Sequence, residues 1–455
     1  MYFIMRSWFL VHVMHFLQSL PPATSQLMLT PLIDNGHIAQ ARKLSQVGGS
    51  PWATNLFSLS YSGFITVDKN LGNHLFFWFF PSELNPNAPL LIWLNGGPGV
   101  SSMLGLFHEN GPVKLSSLAS GGLQYTKRNY TWTDAFAMLY IDQPVGTGYS
   151  YSDQGSAGFR NNQEGYTDDL YSFIEQFYQL FPEYMMQKLY IGGQSYAGHY
   201  VPALAHYIHK KKEAGTSHIP LTGIYLGAPM FASETQLDMY PSYLNMIGAI
   251  SSKEAKIKTK MWEKQYRMFV RTNIISEYSV YSTRNLSPFE LNNWVSPTDI
   301  DILDNQILLA MTSKEVREAV HVGNSRYTPY NFLIAVNLHQ DLFNSTRLLL
   351  ADLMDHYKVL VYSGNYDLLI SPLMIETALR TLSWSLVAEY KDNNRLPWIS
   401  QDKILWGFYS QTGQFCHVVI HKAGHHVPMD QPQASFNMML QFVNNGCLQS
   451  GLGGQ

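Results

Sequence analysis

The stretch "YIGGQSYAGHYVP", Tyr190–Pro202, sets Ser195 among glycines at a joint between two kinds of structure. Before it, "KLYIGG" (Lys188–Gly193) is a short apolar run of strand type. After it, Tyr196–Lys212 carries helical spacing. A strand-to-helix turn this sharp forces strained backbone angles on its apex, so the neighbours must be small, as Gly193, Ala197 and Gly198 are. The apex side chain is pushed clear of the sheet, and the next backbone N–H points toward whatever it attacks. This is the logic of a nucleophile elbow. The fifth position of G-x-S-x-G is Ala197 rather than glycine, and a serine capping a helix is the alternative reading of the same residues.

The rest of the chain repeats the alternation. "HLFFWFF" (His74–Phe80), "PLLIWLN" (Pro89–Asn95), "AMLYID" (Ala137–Asp142), "GIYLGAP" (Gly223–Pro229), "KVLVYSG" (Lys358–Gly364) and "CHVVIHKAG" (Cys416–Gly424) read as strands. Several are apolar on both parities, which suits strands covered on both faces. Amphipathic helical stretches lie between them. Thr167–Phe181 has Leu170, Phe173, Ile174, Phe177 and Leu180 on one stripe, and Pro432–Asn444 closes the pattern. The alternation predicts an α/β fold with a mainly parallel sheet. About residues 231–308 break it. They are polar-rich and helical, and read as an insertion over one edge of the sheet.

A serine nucleophile needs a base and an orienting acid, which in this arrangement follow in the order Ser…Asp…His. "VYSGNYDLLI" places Asp367 just past a strand end, and "KAGHHVPMDQP" places His425 just past the last strand. Catalytic groups gather at the carboxyl ends of such strands. Spacing to Val427-Pro428 favours His425 over His426. The loop "WLNGGPGVSS" (Trp93–Ser102) can bring the Gly97 N–H beside that of Tyr196 as an oxyanion hole.

Taken with "HENGP", "IDQPVGTGYSYS", "EVREAVHVGN" and "YSGNYD", these motifs resemble the serine carboxypeptidases, most closely their vitellogenic-like branch. The resemblance runs from about Leu29 to Val443. It implies an α/β-hydrolase fold over residues 26–455, with the 231–308 insertion as a helical cap. It implies release of the C-terminal residue from peptides or proteins, with Ser195 as nucleophile, His425 as base and Asp367 as orienting acid. Gly97 and Tyr196 match the family's oxyanion donors. Asn95, Gly96 and Glu109 match the residues that hold the substrate's terminal carboxylate. No cofactor and no metal are implied.

The chain departs from the pattern in four places. Gln194 stands where the family usually has a second glutamate, Val100 where it has a cysteine, and "GAPMF" (Gly227–Phe231) where it is more polar. His426 replaces an apolar residue that lines the leaving-residue pocket in the family. Two rival readings remain beside an active exopeptidase: a catalytically silent secreted binding protein, and an acyltransferase. Loss of a triad residue would mark the first, and none is lost. The altered residue before the serine is compatible with the second.

Composition narrows the field. Of the 455 residues 46% are hydrophobic, enough for a large core, and the net charge of −3 argues against a nucleic-acid partner. Lys210–Lys212 reads as a solvated helix end, His206 and His209 as the polar edge of that helix, and His421, His425 and His426 meet no metal spacing. Arg6, the apolar run Trp8–Leu17 and Ala23-Thr24-Ser25 predict a signal peptide over residues 1–25, with His12 and His15 interrupting the run. The run is too short to cross a bilayer, and no later stretch is long enough. Secreted or lysosomal residence follows as an expectation. Sequons at Asn129, Asn344 and Asn285 fit it, although Pro288 disfavours the third. The two cysteines, Cys416 and Cys447, either pair or leave Cys416 a buried free thiol.

Overall fold

Apolar side chains on both parities of the inner strands serve two separate cores, one on each face of a single sheet. In the strand Asn73–Phe80, Leu75, Phe77 and Phe79 enter one core while Phe76, Trp78 and Phe80 enter the other. Leu90–Leu94 divides the same way, with Leu90, Ile92 and Leu94 opposite Leu91 and Trp93. The period of two thus accounts for runs that look uniformly apolar in sequence. The computed structural model describes residues 26–47, 56–272 and 298–449. The predicted signal peptide (residues 1–25), the sequon at Asn285 and the middle of the expected insertion lie outside the described residues.

In chain order the strands of the sheet are β1 (Gln46–Val47), β2 (Ser60–Asp68), β3 (Asn73–Phe80), β4 (Leu90–Leu94), β5 (Ala137–Ile141) and β6 (Tyr151–Ser152). They continue as β7 (Leu189–Gln194), β8 (Leu221–Gly227), β9 (Lys358–Gly364), β10 (Leu396–Ile399), β11 (Leu405–Thr412) and β12 (Phe415–Ile420). The spatial order is β1-β2-β3-β5-β4-β7-β8-β9-β12-β11-β10, with β6 on β3. The six central strands, β5 to β12, pair in parallel. Both flanks are antiparallel. β3 is therefore a covered strand but an antiparallel one. β2, β10 and β11 have no counterpart among the runs read as strands, and only the structure shows them.

Helices cover both faces. On one lie α1 (Gln163–Leu180), α2 (Ala197–Glu213) and, later in the chain, a helix over Arg347–His356. The predicted stripe of α1, Leu170 to Leu180, is buried in their shared core. Between β8 and β9 the described residues hold helices and no strand: α3 (Ser233–Asp238), α4 (Tyr240–Met246), α5 (Ser252–Thr272), α6 (Thr298–Thr312), short helices at Lys314–Ala319 and Phe332–Asn337, and α7 (Arg347–His356). The closing helix α8 (Pro432–Asn445) packs in the core on the opposite face. Cys416 on β12 is joined to Cys447 by a disulfide with a Cα–Cα separation of 5.3 Å. That settles the two readings of the cysteines in favour of pairing. No helix among the described residues is long and apolar enough to cross a membrane.

Candidate active site

Ser195 occupies the turn between β7 and α2, and its φ of 63° is left-handed, an unusual angle for a residue with a side chain. Three hydrogen bonds hold it there. Its N–H donates to the Gly227 carbonyl at 2.9 Å, and its own carbonyl accepts from Gly198 N at 2.9 Å and Met230 N at 3.0 Å. The small neighbours are required by contact. A Cβ on Gly193 would stand 2.1 Å from the Leu94 carbonyl oxygen, and one on Gly198 would stand 2.3 Å from that of Met230. The helix starts so close to the sheet that only glycine fits at either side of the serine.

Asp367 and His425 arrive from the loops after β9 and β12. His425 Nδ1 lies 2.8 Å from Asp367 Oδ2, and both side chains are buried. The second carboxylate oxygen, Oδ1, accepts the backbone N–H of Leu369 at 2.8 Å and of Ile370 at 3.0 Å. The Tyr243 hydroxyl of α4 donates to the Asp367 carbonyl at 3.0 Å, so the insertion braces this loop. Ser195 and His425 line the same cavity of about 320 Å³, together with Asn95, Gly96, Gly97 and Gln194.

The glycine loop after β4 packs against the elbow. A Cβ on Gly96 would fall 2.4 Å from Tyr196 N, so the two backbones touch only because position 96 is glycine. The backbone N–H groups of Gly97 and Tyr196 donate to no other group among the described residues. Asp142 anchors this loop, accepting from Ser101 Oγ at 2.6 Å, Ser102 N at 3.0 Å and Tyr149 N at 3.0 Å. Burial raises its carboxyl to about 7 against those stabilising bonds.

A polar cluster closes one end of the cavity. Asn95 Nδ2 lies 3.3 Å from Glu109 Oε1, and Asn95 Oδ1 is held by Trp93 Nε1 at 2.7 Å and Gly105 N at 3.1 Å. His426 Nδ1 stands 2.7 Å from Gln194 Nε2 and 3.6 Å from Glu109 Oε1. His426, read from the sequence as part of the leaving-residue pocket, therefore stands with the expected carboxylate-binding residues. Burial lowers its basicity, but the hydrogen bond and charge of Glu109, with Asp430 and Asp367, outweigh this and raise its pKa. One oxygen of Glu109 (Oε2) and the Gln194 oxygen are buried without a hydrogen-bond partner. Such groups are costly to leave unmatched, and they mark where a ligand's donors and charges are expected.

The family profile described as "Serine carboxypeptidase" matches residues 52–445. The chain belongs to the serine carboxypeptidase family. Among its relatives are the human "Probable serine carboxypeptidase CPVL", 35% identical over 93% of this chain and 91% of that one, and the Apis mellifera "Venom serine carboxypeptidase", 32% identical over 92% and 91%. The "Vitellogenic carboxypeptidase" of Aedes aegypti is 31% identical over 93% of this chain and 90% of its own. Among solved structures, Kex1(delta)p, a prohormone-processing carboxypeptidase from Saccharomyces cerevisiae, superposes with a TM-score of 0.75. It covers 89% of this chain and 96% of its own at 21% identity, and shows the shared α/β-hydrolase fold.

Against that family background, the sequence reading missed the groups that close the cavity. Leu303 and Asp304 come from α6 and Tyr330 from a later loop. Their signal was absent because only the tertiary fold carries those segments over the serine. Asp142 lay inside the quoted "IDQPVGTG" motif, and its burial supplies the role that the motif alone did not suggest. Asn129 and Asn344 are exposed.

Proposed function

We propose that this serine carboxypeptidase family member releases C-terminal residues from peptides through an acyl-enzyme on Ser195. The observation that supports it best is the elbow serine, with the His425–Asp367 pair, in one cavity whose wall also holds Asn95, Gln194 and His426, with Glu109 packed against Asn95 and His426. A nucleophile and a polar receptor side by side in one cavity suit a substrate whose scissile carbonyl lies one residue from a free carboxylate. Ser195 Oγ attacks that carbonyl while His425 Nε2 takes its proton, and the oxyanion is received by the N–H groups of Gly97 and Tyr196. Collapse breaks the C–N bond, and the same proton passes to the departing amine. Water then repeats the attack on the ester, with His425 again as base. Asp367 keeps the imidazole in the required tautomer.

The disulfide and the exposed sequons at Asn129 and Asn344 support passage through an oxidising, secretory compartment. The reading is tested with an N-blocked dipeptide as free acid and as amide, with and without an added alcohol. Release of the last amino acid from the acid alone is the expected result. Ester formation outrunning hydrolysis would make the protein an acyltransferase, and no turnover of either substrate would leave a binding protein. Glycosidase treatment of protein recovered from the medium of expressing cells checks export.

A further inference from the structure

Far along α2 from Ser195, the helix packs on α7, and a cluster of ionisable side chains converges there. His206, His209 and Glu213 share one face of α2, while Asp352 and His356 stand one turn apart on α7. His206 Nε2 is 3.1 Å from Asp352 Oδ2, and His209 Nε2 is 3.9 Å from the same oxygen. The rings of His209 and His356 lie 4.6 Å apart, and one ligand atom from each of His209, Asp352 and His356 falls within 4.8 Å of the others. From sequence, His206 and His209 were only the polar edge of a helix. The acid and the third histidine come from 143 or more residues later (352 − 209 = 143).

His209 is the informative residue. Its side chain is only 7% exposed, and Nδ1 is engaged by the Tyr357 hydroxyl at 3.1 Å. That contact fixes the ring and turns Nε2 into the cluster. Nε2 is buried without a hydrogen bond. Glu213 Oε1 is 3.4 Å away but not aligned for one. A histidine whose rear nitrogen is held by a hydrogen-bonding group, with its front nitrogen aimed at a carboxylate and a second imidazole, has the usual support of a metal ligand.

We propose that this cluster binds a divalent ion of the zinc class, with His209, Asp352 and His356 as ligands and His206 beside them. Imidazole nitrogens with one carboxylate suit zinc, whereas calcium and magnesium prefer all-oxygen sets. Ligand atoms on a tetrahedral zinc lie about 3.4 Å apart, given bonds of about 2.1 Å. The 3.9 Å between His209 Nε2 and Asp352 Oδ2 lies about half an ångström beyond that spacing, a gap a small side-chain shift closes. Lys210 Nζ now lies 3.4 Å from Asp352 Oδ2, but it is half exposed and also paired with Glu213 at 3.0 Å, so it can yield the carboxylate. The ion would clasp α2, which starts beside Ser195, to α7, which runs directly into β9 and the Asp367 loop. Its expected effect is on stability, independent of whether Ser195 hydrolyses peptides.

The test uses the full chain without a histidine tag, stripped by chelator and dialysed against micromolar zinc at neutral pH. One ion bound per chain and a raised melting temperature are expected. Asp352→Asn and His356→Gln should each abolish that ion, and His356 is half exposed, so its loss does not endanger folding. Tyr357→Phe should weaken binding about tenfold through the lost support of His209. If zinc is not retained, or if wild type and His356→Gln bind it equally well, the site does not exist.

Discussion

The side-chain amide of Gln194 meets the imidazole of His426 at 2.7 Å, in the wall of the cavity that Ser195 also lines. Each charge state of the ring suits one orientation of the amide. A neutral ring with a bare Nδ1 accepts from the amide NH₂, while a doubly protonated ring needs the amide oxygen in its place. His426 is pushed down by burial and up, more strongly, by Glu109, Asp430 and Asp367. Neighbouring His108 goes the other way, since burial and then the charge of Arg128 lower it to about 3. Glu109 thus favours the charged form of His426, and the amide can turn to suit either form.

This gives a pH dependence with a definite sign. A histidine whose folded pKa is raised is fully charged below its ordinary value of about 6.5 and loses that charge as pH climbs through the raised value. If the imidazolium receives the terminal carboxylate, KM for a free-acid peptide should be lowest on the acid side and rise across that range. The matching amide should show no such rise. His426→Asn should flatten the acid curve with little change in kcat. An acid-to-amide ratio that follows the same pH curve in wild type and variant would remove His426 from carboxylate recognition.

Replacing Asp367 by Asn should leave the loop in place but cut kcat by about 10⁴, because the imidazole then loses its orienting charge. The Leu369 and Ile370 N–H groups can still bond the amide oxygen, so folding should survive. A fluorophosphonate should label Ser195 in wild type, and peptide mapping reads the position. Label that persists in Ser195→Ala would place the nucleophile elsewhere.

Gly193→Ala tests the elbow itself. The new methyl would meet the Leu94 carbonyl oxygen at 2.1 Å and the Ala197 Cβ at 2.7 Å, neither of which is a flexible tip. The expected cost is of order 1–3 kcal/mol, with a disproportionate loss of kcat as the serine shifts. A urea midpoint equal to that of wild type would mean that β7 and α2 are less tightly packed than they stand here.

The Cys416–Cys447 bridge closes a loop over a separation of 31 residues. In the chain-entropy model such a loop is worth about 3–4 kcal/mol. The double serine variant should therefore melt well below wild type while keeping its turnover at low temperature, since neither sulfur approaches the cavity. Loss of activity without loss of stability would contradict a purely structural role.

The parallel centre of the fold was legible because strands buried on both faces leave continuous apolar runs, as in Leu90–Leu94 and Lys358–Gly364. The strands outside β3 and β12 were not. β11 mixes exposed and buried positions, and β10 is four residues long, holds Pro397 and leaves Leu396 and Pro397 exposed. Ser195, Asp367 and His425 could be found because each follows a strand and sits in a motif. Asp352 and His356 could not, because helix-on-helix packing brings them to His209 and no local pattern records it. The pairing of His426 with Gln194 belongs to the same class, since 232 residues separate the two.

Gln194→Glu asks why an amide stands beside the nucleophile. A glutamate there would face His426 Nδ1 at the distance now held by the amide and would share the ring with Glu109. In wild type a charged His426 offsets Glu109, so an arriving peptide carboxylate meets less negative charge than in the variant. In the variant it meets a second carboxylate, and three carboxylates around a single imidazole cannot all remain ionised. Binding must then take up a proton, which becomes scarcer as pH rises. KM for a free-acid peptide should climb more steeply between about pH 5 and 7.5 in the variant than in wild type. The change should lie in KM rather than kcat, because this contact is made to the terminal carboxylate and not to the bond being broken. The amide substrate serves as the control, since it brings no charge and both proteins should handle it alike at every pH. Parallel KM curves for the two proteins would exclude the charge argument, and equal use of acid and amide by wild type would exclude the carboxylate site itself.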